Sequence, residues 1–178
     1  MALVVFMRGV NVGGHRRFQP SVLAKELAAF DVVNVGAAGT FVVRKTISQS
    51  RLRDELIRRL PFSADIMICS GRDLINLASS NPFENEPAGP DIVRFVSVLA
   101  RRPRVLPPLP LSLPPGKDWL VRIIAVHGRF AFGTYRRAMR TIGYLNKLEK
   151  HLGVSVTTRN WNTIAIIIRI LKDTGRKA

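Results

Sequence analysis

The segment with the most chemical character is Arg129-Phe130-Ala131-Phe132-Gly133-Thr134-Tyr135. In a strand, Phe130 and Phe132 share one face, and flat rings flanked by Arg122, Arg129, Arg136, Arg137 and Arg140 can stack nucleobases while the guanidinium groups neutralise phosphates. The same two rings would serve equally as core, and their exposure decides between the readings. A second candidate is the stretch from Arg8 to Arg17, which holds Gly9, Asn11, Gly13, Gly14 and His15 with Arg16 and Arg17. Its backbone N–H groups can form an anion-binding nest beside the guanidinium groups. The alternative, of equal weight, is that the glycines serve only a tight connection that Asn11 holds through its side chain. The glycine spacing lacks a following Lys-Ser/Thr, so it is not a phosphate-binding P-loop, and no GxGxxG occurs. A third segment, Arg159-Asn160-Trp161-Asn162-Thr163, combines charge, amides and an indole, and reads either as a base-contacting platform or as a helix start capped by Asn160.

Residues for catalysis are sparse. His15, His127 and His151 fall on separate elements, and the single cysteine, Cys69, lies in an apolar run. No His/Cys/Asp set has metal-ligand spacing, and no carboxylate pair stands out for acid–base work. The sequence therefore assigns no catalytic residue, metal or cofactor.

The net charge is +16. Residues 1–100 hold 12 Lys and Arg against 9 Asp and Glu, whereas residues 101–178 hold 16 against 3. Between Arg94 and Lys147 the only carboxylate is Asp118. Arginine accounts for 21 of the 28 basic residues, which a genome-wide compositional habit would explain, but such a habit does not deplete acids. A one-signed field on a small protein is the footprint of nucleic acid or another polyanion as partner.

These segments must be positioned by regular elements. Leu3–Met7 reads as a strand, Pro20–Phe30 as a helix with Val22, Leu23, Leu27 and Phe30 inward, and Val32–Val35 and Phe41–Arg44 as strands. Ser48 or Ser50 caps a helix to Leu60 with Leu52, Leu56, Ile57 and Leu60 inward, followed by a strand Ala64–Cys69 and a helix Gly71–Ser80. The first half is thus βαββαβ with an added helix. Glu84–Pro90 reads as a linker. Beyond it come a strand Ile92–Leu99, a proline-laden connection Arg101–Gly116, and a hairpin of Trp119–Val126 and Arg129–Tyr135 about His127-Gly128. A helix Thr141–Leu152 stopped by Gly153, a strand Val154–Thr157 and a last helix Trp161–Lys172 follow, although the isoleucine-rich 164–170 run also fits a strand. The fold class expected is α+β: two ferredoxin-like halves, residues 1–83 and 91–173, the second without a regular first helix, plus a C-terminal helix and a short tail, 174–178.

No stretch has the charge, length and apolarity of a signal peptide or membrane span, and one cysteine excludes an internal disulfide, so a cytoplasmic address without membrane association is expected.

Two segments carry a family resemblance. Arg8-Gly9-Val10-Asn11-Val12-Gly13-Gly14-His15, directly after the first strand, and Leu152-Gly153-Val154-Ser155-Val156-Thr157-Thr158-Arg159-Asn160-Trp161-Asn162-Thr163 together resemble the bacterial domain-of-unknown-function family 1697. The resemblance implies a fold of duplicated ferredoxin-like units and transfers no activity. The chain departs from the family pattern at Ala38-Gly39-Thr40, where relatives carry a polar Ser-Gly-Asn turn, and at the proline-rich 103–115, often a helix. A site using that polar turn would be weakened here. Separately, the spacing in 130–135 is similar to the RNP1 pattern of RNA-recognition motifs, with Arg94–Leu99 loosely echoing the partner strand, although Gly133 stands in place of the usual valine. The leading functional expectation is a non-catalytic binder of single-stranded RNA or DNA through Arg122, Arg129, Phe130, Phe132, Tyr135, Arg136, Arg137, Arg140 and Arg159. The alternative is an enzyme or sensor that holds a small phosphorylated ligand at the loop 8–17.

Overall fold

A computed structural model of the chain describes residues 1–11 and 18–175. It is a mixed α+β protein with two antiparallel sheets and a C-terminal helix. Two compact units are present: Met1–Ser79 with the residues from Ala165 on, and Ser80–Ile164.

The first unit contains β1 (Leu3–Arg8), α1 (Pro20–Glu26) extended by a 3-10 turn (Ala28–Phe30), β2 (Val32–Asn34), β3 (Thr40–Val43), α2 (Gln49–Arg59), β4 (Asp65–Ser70) and α3 (Gly71–Ser79). The strands lie in the order β2-β3-β1-β4. Leu3, Val5 and Met7 of β1 alternate onto the face that packs with Leu23, Leu27, Leu52 and Leu56 from α1 and α2. Ser48 caps α2, its hydroxyl accepting from the Arg51 N–H at 3.2 Å. Val22 and Ile57, expected inward, are instead 44% and 58% exposed. Ile57 follows Leu56 by one residue, a turn of about 100° around the helix, and so leaves the stripe that Leu52 and Leu56 share.

The second unit contains β5 (Ile92–Leu99), β6 (Leu111–Leu113), β7 (Val121–His127), β8 (Phe130–Arg136), α4 (Thr141–Leu145), α5 (Leu148–Leu152) and β9 (Val156–Asn160). Its sheet order is β6-β7-β8-β5-β9. Without β6, that is the first sheet's order, with β5 standing where β1 stands. The proline-rich connection supplies β6, a three-residue strand on the sheet edge, where proline's missing N–H is tolerated. The expected helix 141–152 is split at Asn146 and Lys147 into α4 and α5. Gly153 closes α5 at φ 65°. The hairpin turns at Gly128-Arg129, with Gly128 at φ 60°, the glycine-first arrangement that suits a two-residue loop.

The last helix, α6 (Trp161–Gly175), follows β9 directly. Ile164, Ile167, Ile168 and Leu171 are all buried, a helical spacing that settles the isoleucine-rich run as helix rather than strand.

Candidate functional site

Strand β8 alternates as its period requires, but both of its faces are covered. Phe130 is 5% and Phe132 3% exposed, so the expectation of a base-stacking surface on these rings is corrected: they are core. Phe132 meets Phe83 edge-on at 6.1 Å and His127 at 5.1 Å. On the other face, Ala131 and half-buried Tyr135 join the core around Phe95, Val121, Ile123, Leu148 and Leu152. Gly133 is explained by its neighbours. A Cβ there would lie 2.0 Å from the Arg122 carbonyl oxygen and 3.0 Å from the Phe95 ring, next to a slip in the β7–β8 pairing between Ile123 and Ala125.

The arginines expected at the site divide by position. The Arg129 Nε donates to the Leu99 carbonyl at 2.9 Å. Arg122 lies 3.5 Å from the Glu86 carboxylate. Arg136 stacks on Trp119 at 4.5 Å and donates to the Lys117 carbonyl. Arg159 donates to Thr157 Oγ1 and the Thr158 carbonyl, both at 2.9 Å, and burial pulls its guanidinium down to about 10. Arg137 and Arg140 are exposed. Eight residues of extended chain, about 26 Å at ~3.3 Å per residue, separate Arg129 from Arg137. The basic groups therefore lie at two ends of the sheet: Arg129 with exposed Arg101 and Arg102 at the hairpin end, and Lys117, Arg137 and Arg140 at the other. Counted by unit, residues 80–164 hold 13 Lys and Arg against 5 Asp and Glu, a balance of +8, half of the whole. The excess of the C-terminal stretch is diluted because Glu84, Glu86 and Asp91 join this unit and the residues from Ala165 on leave it.

At that second end lies a cavity of about 410 Å³, lined by Pro87–Gly89, Ile92–Arg94, Tyr135, Arg137 and Asn160–Asn162. It follows from strand lengths. β5 pairs with β9 only from Phe95 to Leu99, so Ile92–Arg94 present an edge to which β9 offers no partner once it has ended at Asn160. Asn160 caps α6, its side-chain oxygen accepting from the Thr163 N–H at 2.9 Å and the Thr163 hydroxyl at 3.0 Å. Trp161 is half-buried and meets Phe83 edge-on at 5.0 Å. The cavity thus joins an exposed guanidinium, two amides, a phenol and an indole. Of the residues expected from the sequence to contact nucleic acid, Tyr135 and Arg137 line it, joined by Asn160–Asn162 of the segment that reads either as a base-contacting platform or as a helix start. Arg94 and Pro87–Gly89 could not be picked out beforehand as lining it, because their segments meet β8 and the start of α6 only through the β5–β8 and β5–β9 pairing.

Of the loop 8–17, Arg8, Gly9 and Asn11 are described, and Gly13, Gly14, His15, Arg16 and Arg17 lie outside the described residues. Arg8 pairs with Asp65 at 3.1 Å. Gly9 and Asn11 have φ of 64° and 55°. Asn11 donates to the Ala37 carbonyl at 2.9 Å and accepts from the Phe18 N–H at 3.0 Å, which ties both ends of the connection together. Cys69 is buried. No helix among the described residues is long and apolar enough to cross a membrane.

A solved structure of a conserved bacterial protein from Streptococcus pneumoniae matches this chain with a TM-score of 0.55 at 19% identity, covering 96% of this chain and 98% of that one. That likeness speaks for the fold alone. No curated protein matches. Residues 1–105, more than half of the chain, match the family described as "Protein of unknown function (DUF1697)", and the chain belongs to that family.

Proposed function

We propose that the protein binds single-stranded nucleic acid without catalysing a reaction, and that the cavity beside Ile92–Arg94 takes one nucleotide of the strand. The observation that carries this reading is the make-up of that cavity: Trp161 and Tyr135 for stacking, Asn160 and Asn162 for polar contacts to a base, and Arg137 for a phosphate, with Lys117 and Arg140 at the same end. Stacking on an aromatic side chain is worth about 1–3 kcal/mol per base and tolerates any sequence. A volume of about 410 Å³ falls in the range of small-ligand sites, about 300–1,000 Å³. A bacterial cytoplasm is the setting that goes with this reading. The common strand order of the two sheets supports reading residues 1–83 and 91–173 as ferredoxin-like halves joined by 84–90, with the cavity on the second.

Titration of a labelled ten-nucleotide strand at 50 and 200 mM salt tests the proposal. Affinity should fall steeply with salt, and Trp161→Phe and Arg137→Ala should each weaken binding several-fold with little change in thermal stability. Absence of binding at 50 mM salt would refute nucleic-acid binding. Unchanged affinity in both variants would remove the cavity from it. If a mononucleotide binds as tightly as the ten-mer, a small phosphorylated ligand is the occupant.

A further inference from the structure

A second cluster in the same unit is built from a cross-strand row. Thr134 of β8 has Arg94 of β5 as its partner on one side and Arg122 of β7 on the other. Residues directly opposite in adjacent strands project from the same face with Cβ atoms about 4.5–5.5 Å apart, so a hydroxyl stands between two guanidinium-bearing side chains. Thr134 is fully buried, and its Oγ1 has no hydrogen-bond partner. The turn from Asn81 to Glu86, closed by the Glu84 N–H to the Asn81 carbonyl and the Glu86 N–H to the Phe83 carbonyl, brings one carboxylate to this row. Glu86 lies 3.5 Å from the Arg122 guanidinium, yet its buried Oε2 makes no hydrogen bond. Arg94 is held by stacking over Phe83 at 5.5 Å.

The cluster is poorly matched to its present occupant. Four buried side-chain atoms among the described residues lack a hydrogen bond, and two of them, Thr134 Oγ1 and Glu86 Oε2, are here. Leaving such groups unpaired is unfavourable, and native proteins keep them rarely and usually for a reason. The row holds two guanidinium groups and Glu86 pairs with one of them, Arg122, so it carries an excess positive charge. A tetrahedral oxyanion has enough acceptor oxygens to take the Thr134 hydroxyl and both guanidinium groups, a dianion balances both cations, and Glu86 Oε2, an acceptor that an anion cannot satisfy, regains water when it is displaced.

We infer that Arg94, Thr134 and Arg122 form an oxyanion site for phosphate or a phosphate monoester, which the Glu86 carboxylate fills in the ligand-free protein. Binding requires Glu86 to move aside, so Glu86 sets the affinity. The inference does not depend on the nucleic-acid reading, because its probe is inorganic phosphate.

The experiment compares thermal unfolding of the full chain in sodium phosphate and in sodium chloride of equal ionic strength. Wild type should gain modestly in phosphate. Glu86→Gln, which keeps the shape and removes the competing charge, should gain about 3–6 °C with phosphate tenfold above its Kd. Adding Thr134→Val should abolish most of that gain while leaving the chloride value of Glu86→Gln unchanged or higher, since an unpaired hydroxyl has been removed. The inference is overturned if Glu86→Gln responds no more than wild type, or if the double variant responds as Glu86→Gln does. A phosphate titration followed through the backbone amide resonances at 20 °C gives a second readout should Glu86→Gln unfold early. Saturable shifts at Arg94, Arg122 and Thr134 support the site, and their absence overturns it.

Discussion

Phe132→Ala separates the core from the surface reading of β8 in a single variant. Phe132 is 3% exposed and meets two aromatic rings edge-on, at 6.1 and 5.1 Å. Truncating a buried phenylalanine to alanine costs about 3–5 kcal/mol, and each aromatic pair lost adds about 0.5–1.5 kcal/mol beyond area burial, which places this variant near 4 kcal/mol or above. At about 2–4 °C per kcal/mol for a chain of this size, the midpoint should fall by about 8–16 °C. Circular dichroism melts of the two proteins measure it, with oligonucleotide binding checked at a temperature where both are folded. Binding by the folded variant should persist, since the ring takes no part in it. A midpoint within about 2 °C of wild type together with lost binding would mean that the ring faces the ligand, and the reasoning would be refuted.

Other outcomes follow from packing and burial. Gly133→Ala places a Cβ 2.0 Å from the Arg122 carbonyl oxygen, and should destabilise by about 3 kcal/mol, the upper end of what overpacking costs, as read by urea denaturation. Arg159 is held below its ordinary value, at about 10, by burial that penalises its charged form. The unfolded chain then binds more protons between these two values, so this group's contribution to stability rises as pH climbs through about 10. Relative to Arg159→Met, which cannot titrate, wild type should gain stability between pH 8 and 11 in urea titrations. A gap that stays constant, or moves the other way, would show that burial does not set the charge of Arg159.

Much of the fold could be read from periodicity and punctuation. The strand Ile92–Leu99 was expected with the bounds it has, Ser48 is the cap of α2, and the stripe Ile164, Ile167, Ile168 and Leu171 faces inward. Such features are local, fixed by alternation, capping chemistry and a 3.6-residue repeat. What escaped was set by tertiary pairing. β6 hides among prolines that argue against any strand and survives only because β7 offers it an edge. Alternation places Phe130 and Phe132 on one face but does not say whether that face is covered, so the aromatic spacing could not distinguish a stacking surface from a core. The charge pattern likewise gave an excess without its geometry: Arg122, Arg129, Arg136 and Arg159 bond or stack within their own unit, and a strand's length separates the two basic ends. The cavity was the least legible feature, since Gly89, Arg94 and Asn162 are brought together only by where β9 ends.

Ultraviolet cross-linking of a single strand to the full chain, with the attached peptides located by mass spectrometry, tests the central claim most directly. The proposed site predicts attachment at Trp161, in the tryptic peptide 160–169, lost at high salt and in Arg137→Ala. Absence of cross-links at low salt, or attachment confined to the hairpin end near Arg101 and Arg129, would contradict it.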